Sequence, residues 1–229
     1  MSFLLAGLWA LSASAAVLYA ADAFGLCPIP LFRRLPGHPA PLEAEGASWP
    51  PHRWYCLAAG AGALAAACGW SAWFSVATPW ALPQLWLALT GVSAAAAVDA
   101  QTHLIPNRFP LLLLAGRGLL FLLELPFAPE GLAGRGLSAL AGALFGAGLL
   151  LLISRLTGGI GLGDGKLFGG IGFCIGFYGT FFTLLFSLVF CAAAGCFLLI
   201  TRRGGLKRQL PFGPFVLLGL SAAVLTGFY

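Results

Sequence analysis

The chain has 229 residues, of which 60% are hydrophobic and only 8% are charged, and its mean hydropathy is +0.94. Charged residues make up about a quarter of a soluble globular domain, so this composition excludes that class. Intrinsic disorder is excluded too, because disordered chains are poor in apolar residues and rich in charge. The formal net charge is +5, but the basic residues lie between apolar segments and form no single patch for a nucleic acid. The composition is typical of a polytopic membrane protein.

Long apolar runs predict helices here, because a bilayer offers the backbone no hydrogen-bond partners and the alternation typical of a barrel is absent. We therefore predict an all-α integral membrane protein. About eight transmembrane helices are expected, at 2–21, 54–77, 83–98, 109–125, 137–154, 165–177, 180–201 and 212–228. Within 165–201 only the turn at 177–179 divides two helices, and the piece before it is short for a full span. A broken helix is the alternative there.

The first helix lacks a basic segment before it, so we interpret it as retained rather than as a cleaved signal peptide. After it, the proline-rich segment 22–53 cannot form a long helix and is the one substantial loop. These features predict an N-terminal part at 1–77, with two helices and this loop, and a six-helix domain at 78–229. The six cysteines form no C-x-x-C pair, so neither a disulfide framework nor a zinc site is supported.

Basic residues mark the cytoplasmic ends of membrane helices. In the eight-helix arrangement only Arg117 and Arg135 fall on the outer side. The other ten basic residues fall on the opposite, cytoplasmic side: Arg33, Arg34, Arg53, Arg108, Arg155, Lys166, Arg202, Arg203, Lys207 and Arg208. This distribution predicts that both termini point away from the cytoplasm.

Two of the three aspartates lie at the ends of apolar spans, where ionisable groups are costly and usually functional. Asp99 ends the third predicted helix and Asp164 begins the sixth, so both arrive at the same membrane face. Two neighbouring carboxylates can share a proton, so that one activates water while the other protonates a carbonyl oxygen. The alternative for each aspartate alone is a helix cap or a water-facing interfacial residue.

The aspartates stand in distinctive surroundings. Asp99 is followed by a turn that contains Pro106 and Asn107, and Asp164 closes a glycine-dense segment with Gly161 and Gly163. A Leu-Pro-Phe-Gly-Pro-Phe segment, 210–215, precedes the last helix. A hinge loop and a simple Pro/Gly turn are the alternative interpretations of the second and third segments.

Together the three segments resemble the bacterial type IV prepilin peptidases, membrane aspartic proteases of the Gly-x-Gly-Asp type. The matching elements are Asp99 with Ile-Pro-Asn at 105–107, Gly-Leu-Gly-Asp at 161–164 with Lys-Leu at 166–167, and Pro-Phe-Gly-Pro-Phe at 211–215. The resemblance covers about residues 80–229. It implies an inner-membrane endopeptidase that removes the basic leader from prepilins or pseudopilins at the cytoplasmic face. It also implies Asp99 and Asp164 as the catalytic pair, with Gly161, Gly163, Pro106 and Asn107 in the active-site loops.

The chain departs from the family pattern in its N-terminal third. Many members carry two zinc-binding C-x-x-C pairs there and methylate the new N-terminus with S-adenosylmethionine, whereas 22–53 contains only Cys27. We therefore predict peptidase activity alone or chiefly, with neither zinc nor S-adenosylmethionine expected as a cofactor. The expected partners are a prepilin or pseudopilin helix and the lipid bilayer, with no nucleic acid.

Three further predictions follow from position. Asp164, at a helix start, is expected to be the ionised, water-activating member, and Asp99, at a helix end, the protonated acid. Arg117 and Glu124 are two turns apart and are expected to share one helix face. The main alternative function is a small transporter in which the aspartates bind a proton or cation. A presenilin-type protease shares Gly-x-Gly-Asp, but its Pro-Ala-Leu motif is absent.

Overall fold

The computed structural model describes residues 2–24, 26, 51–75, 80–157, 161–201 and 210–229. Seven helices are assigned in these ranges: α1 (Ser2–Ala23), α2 (Pro51–Ser75), α3 (Ala81–Thr102), α4 (Arg108–Glu124), α5 (Leu132–Thr157), α6 (Leu162–Ile200) and α7 (Gly213–Thr226). The all-α prediction is confirmed. Most of the predicted loop 22–53, with Cys27, lies outside the described residues, as do the basic residues at 202–208.

Five of these helices are long and apolar enough to cross a bilayer, namely α1, α2, α3, α5 and α6. The helix α7 is apolar but only 14 residues long. These lengths and compositions indicate a membrane protein. The predicted count of about eight helices is not confirmed, because α6 is assigned as one element.

The helix α6 is broken at Gly176, whose φ of 76° and ψ of −174° are not helical. This positive φ is one that a residue with a side chain rarely adopts. The break divides α6 into a first arm (162–175) and a second arm (177–200). Leu188, in the second arm, lines the same cavity as Asp164, in the first arm. The two arms therefore run in opposite directions. A straight helix would separate these two residues by about 36 Å. The break lies one residue before the predicted turn at 177–179.

Close packing against α5 surrounds the break. The backbone of Gly142 lies close to Gly172 and Gly176. A Cβ at Gly172 would clash with the Gly142 backbone, and a Cβ at Gly176 would clash with the Ser138 hydroxyl. The Ser138 hydroxyl also accepts a hydrogen bond from the N–H of Phe177 (3.3 Å), the residue after the break. Small residues commonly allow such close helix approach in membranes. The reversal of α6 is thus fixed by glycine on both sides of the contact.

A buried charged cluster joins α3, α4 and α5 at the end of the bundle away from Asp99. Glu124 is fully buried and pairs with Arg117, which is 2% exposed. Glu124 also accepts a hydrogen bond from the Gln84 side chain (3.0 Å) and lies 3.3 Å from Arg135 Nε. The Arg117 guanidinium stacks 3.7 Å from the ring centre of Phe121. The prediction that Arg117 and Glu124 share a face is therefore confirmed, and Arg135 and Gln84 complete the cluster.

Candidate active site

Asp99 lies one turn before the end of α3 rather than at its last residue, because the helix continues to Thr102. His103 caps the C-terminal end of α3: its φ of 53° is left-handed, and its N–H donates to the Asp99 carbonyl (2.9 Å). The Asp99 side chain is only 4% exposed. A buried carboxylate requires hydrogen-bond donors.

The start of α7 supplies such a donor. The N–H of Gly213, the first residue of α7, donates to Asp99 Oδ2 at 2.6 Å. The first N–H groups of a helix have no partner within it and carry partial positive charge. Asp99 is thereby held by two helices, by covalent attachment to α3 and by a hydrogen bond from α7. This contact also removes the positional argument for Asp99 as the protonated member, and the roles of the two aspartates stay a prediction.

Asp164 occupies the first turn of α6, as predicted. Gly161 caps this helix in an extended conformation, and the Asp164 N–H bonds the Gly161 carbonyl at 3.1 Å. Gly163 packs against the turn after α3, since a Cβ there would lie 3.2 Å from both Cβ and O of Ile105. The Gly-x-Gly-Asp segment and the Ile-Pro-Asn turn are therefore in direct contact.

A second contact joins the same two segments. The Lys166 ammonium donates to the Asn107 side-chain oxygen at 3.0 Å on the exposed surface. Of the predicted loop residues, Asn107 and Gly163 make these contacts, and Gly161 lines the same cavity as Asp164. Pro106 begins the entry into α4, where its carbonyl accepts the Phe109 N–H.

Asp99 and Asp164 line one cavity of about 650 Å³, and their carboxylates interact electrostatically. The walls are the end of α3 with His103, the turn residues Leu104 and Ile105, the start of α6, the segment 210–212, and Leu188 and Cys191 from the second arm of α6. The volume is typical of sites for small ligands or short peptide segments. Two carboxylates that face one cavity can divide the roles of base and acid.

Metal ligation has no support in the part of the chain that the structure describes. No three His, Cys, Asp or Glu side chains come together there. Cys56 is exposed, and the segment 22–53 falls largely outside the described ranges.

Residues 85–196 match the family model described as the type IV leader peptidase family. Over these residues the chain is similar to the type IV leader peptidase family. The resemblance inferred from the three segments is thereby confirmed. Among the described residues, the matched region includes both aspartates, the Ile-Pro-Asn turn and most of α6, whereas the α7 segment lies beyond it.

Curated relatives named prepilin leader peptidase/N-methyltransferase also match the chain. The protein from Bacillus subtilis (strain 168) is 38% identical over 58% of this chain and 51% of its own length. Those from Aeromonas salmonicida (strain A449) and Burkholderia pseudomallei (strain 1026b) are 35% and 37% identical, over 44% and 47% of their lengths. The chain spans about half the length of the curated relatives it matches. No solved structure matches it significantly.

Gly213 is the residue of this site whose contact the sequence did not reveal, although it lies in the segment 211–215 that resembles the family pattern. A Cβ at position 213 would lie 2.9 Å from Asp99 Cβ, 3.0 Å from Asp99 Oδ2 and 3.0 Å from the Cα of Ala96. Two of these neighbours are rigid parts of α3, so α7 must shift to accept a side chain. Gly213 therefore sets the position of Asp99.

We expect Gly213→Ala to lower peptide cleavage by about 100-fold, because misplacing a reacting group by about 1 Å has an effect of that size. The measurement is kcat/KM with a prepilin-type substrate. Gly148→Ala on α5 is the matched control, since nothing lies within 4 Å of a Cβ there. Equal activities of the two variants would contradict the positioning role of Gly213.

Proposed function

We propose that the chain is an aspartic endopeptidase of the bacterial inner membrane that removes the basic leader from type IV prepilins or pseudopilins. The observation that carries the proposal is the single cavity into which α3 and α6 bring Asp99 and Asp164. The match to the family model supports the same reaction, because the matching relatives are named as prepilin leader peptidases.

In the proposed reaction, a peptide carbonyl of the substrate lies between the two carboxylates. The ionised aspartate takes a proton from a water molecule while the water oxygen bonds to the carbonyl carbon. The protonated aspartate gives its proton to the carbonyl oxygen. The tetrahedral intermediate then breaks its C–N bond as the aspartate that accepted the water proton gives it to the leaving nitrogen, while the other aspartate recovers a proton from a hydroxyl of the intermediate. The Gly213 N–H keeps Asp99 in position throughout.

The orientation is part of the proposal. Asp99 and Asp164 are placed at the cytoplasmic face and both termini in the periplasm, and the distribution of basic residues supports this placement. Lys166, whose ammonium holds the Asn107 turn, and Arg108, at the start of α4, lie at the same end as the aspartates. The proposed partner is a substrate helix that approaches through the bilayer with its leader junction near this face.

The proposal covers peptide cleavage alone or chiefly, without zinc or S-adenosylmethionine. The names of the relatives include N-methyltransferase, so methyl transfer needs a separate measurement. Transfer of a labelled methyl group from S-adenosylmethionine to cleaved pilin by the purified chain would contradict this restriction.

The test of the proposed function uses the full chain in liposomes with a synthetic prepilin. We expect a single cut at the leader junction, detected by mass spectrometry, and no cut in a substrate helix that lacks the leader. Proton and cation flux are measured in the same liposomes. Absence of cleavage together with flux that depends on Asp99 and Asp164 would instead favour a proton- or cation-coupled transporter.

A further inference from the structure

The second arm of α6 returns to the two aspartates from the break at Gly176. Its residues Leu188 and Cys191 are one helical turn apart and therefore lie on the same face. Both line the cavity that contains Asp99 and Asp164. Neither belongs to any of the three segments that identified the family.

The other walls of this cavity hold the aspartates in place. The end of α3 and the start of α6 carry Asp99 and Asp164, the turn at Ile105 packs on Gly163, and Gly213 beside the 210–212 segment bonds Asp99. Among the described residues that line the cavity, those of the second arm make none of these contacts. Leu188 is 46% exposed, so its side chain is available to a bound molecule.

A substrate in the cavity must place one peptide bond between the carboxylates. A volume of about 650 Å³ accommodates a short extended segment and not a whole helix. The side chains that flank the scissile bond then face the remaining wall, which is apolar at Leu188. The second arm, roughly 24 residues long, also extends far enough to lie beside a membrane-spanning substrate helix.

We propose that Leu188 and Cys191 form the wall that contacts the substrate beside the scissile bond and limits the size of the side chain accepted there. This inference rests on the proposed peptidase function. It assigns the substrate-facing surface to a part of α6 that carries no catalytic group.

The first test changes the volume of this wall. Leu188→Trp is expected to lower kcat/KM by about 10-fold or more, as expected for a change of shape in an apolar specificity pocket. The effect should be smaller for substrates with a reduced side chain beside the scissile bond. Leu185→Trp is the matched control, because Leu185 is 44% exposed on the same arm and does not line the cavity. Equal loss in both variants, or a loss independent of the substrate side chain, would overturn the proposal.

The second test uses Cys191 as a native reporter. In a variant with Cys191 as its sole cysteine and Asp164→Asn to prevent turnover, single cysteines are scanned through the substrate and disulfides are formed by mild oxidation. We expect cross-links that peak next to the scissile bond. A variant that retains only the exposed Cys196 is the control and should show no such peak.

Cleavage by the same single-cysteine chain with Asp164 intact separates the two levels of inference. Cleavage without a peak at Cys191 would overturn the assignment of this wall while the peptidase function stands. If neither this chain nor the unmodified protein cleaves the substrate, the wall assignment and the peptidase function are both overturned.

Discussion

Asp99→Asn and Asp164→Asn are each expected to lower peptide cleavage by at least about 10³-fold, because each removes one of two groups that exchange protons with the reacting atoms. Asparagine has nearly the same shape as aspartate, and its oxygen can still accept the Gly213 N–H at position 99. The site should therefore keep its geometry and lose its proton chemistry. The measurement is kcat with a prepilin-type substrate at saturating concentration.

The third aspartate of the chain provides the matched control. Asp22 is also buried, but it lies on α1 and does not line the cavity. Asp22→Asn should keep most of the activity, and the thermal stability of all three variants in detergent shows whether they are folded. Near-normal cleavage by folded Asp99→Asn or Asp164→Asn would exclude the proposed pair.

Glu124→Leu is expected to lower the free energy of unfolding by about 3–5 kcal/mol. The substitution leaves Arg117, which is 2% exposed, without its carboxylate partner, and breaking a buried ion pair from one side has a cost of this size. Arg135 and Gln84 lose the same acceptor. The measurement is equilibrium unfolding of the full chain in mixed micelles.

Two further variants isolate the cause. Glu130→Leu removes an exposed carboxylate a few residues away and should change stability by no more than about 0.5 kcal/mol. The double variant Arg117→Leu with Glu124→Leu should lose less stability than the sum of the losses in the two single variants. Each single variant leaves one charge of the buried pair without its partner, whereas the double variant removes both charges. Full additivity would show that the buried pair makes no interaction of its own.

Much of the site follows from the sequence because its residues are close to helix ends. The glycine-dense segment before Asp164 indicates a helix start, and the Ile-Pro-Asn turn after Asp99 indicates a helix end. The arrangement of alternating spans then placed both at one membrane face, and the structure brings them into one cavity. The boundaries were less accurate, since α3 extends past Asp99 to Thr102.

The contacts between distant segments could not be predicted in the same way. The hydrogen bond from Gly213 to Asp99 joins residues far apart in the chain, and no local pattern encodes it. The break at Gly176 also depends on tertiary structure, because many glycines in apolar helices stay helical, and Gly176 departs from the helix where it packs against α5. The position of Arg135 in the sequence predicts an outer loop, whereas its contact with Glu124 depends on where the tertiary structure places the start of α5.

The break in α6 has a consequence for the depth of the site in the bilayer. Its first arm is roughly 14 residues long, or about 21 Å, and α7 has 14 residues as well. Both are shorter than a hydrocarbon layer of about 30 Å. Asp164, at the start of this arm, and the break at Gly176, at its end, therefore cannot both lie at the edges of this layer, so at least one of them lies within it.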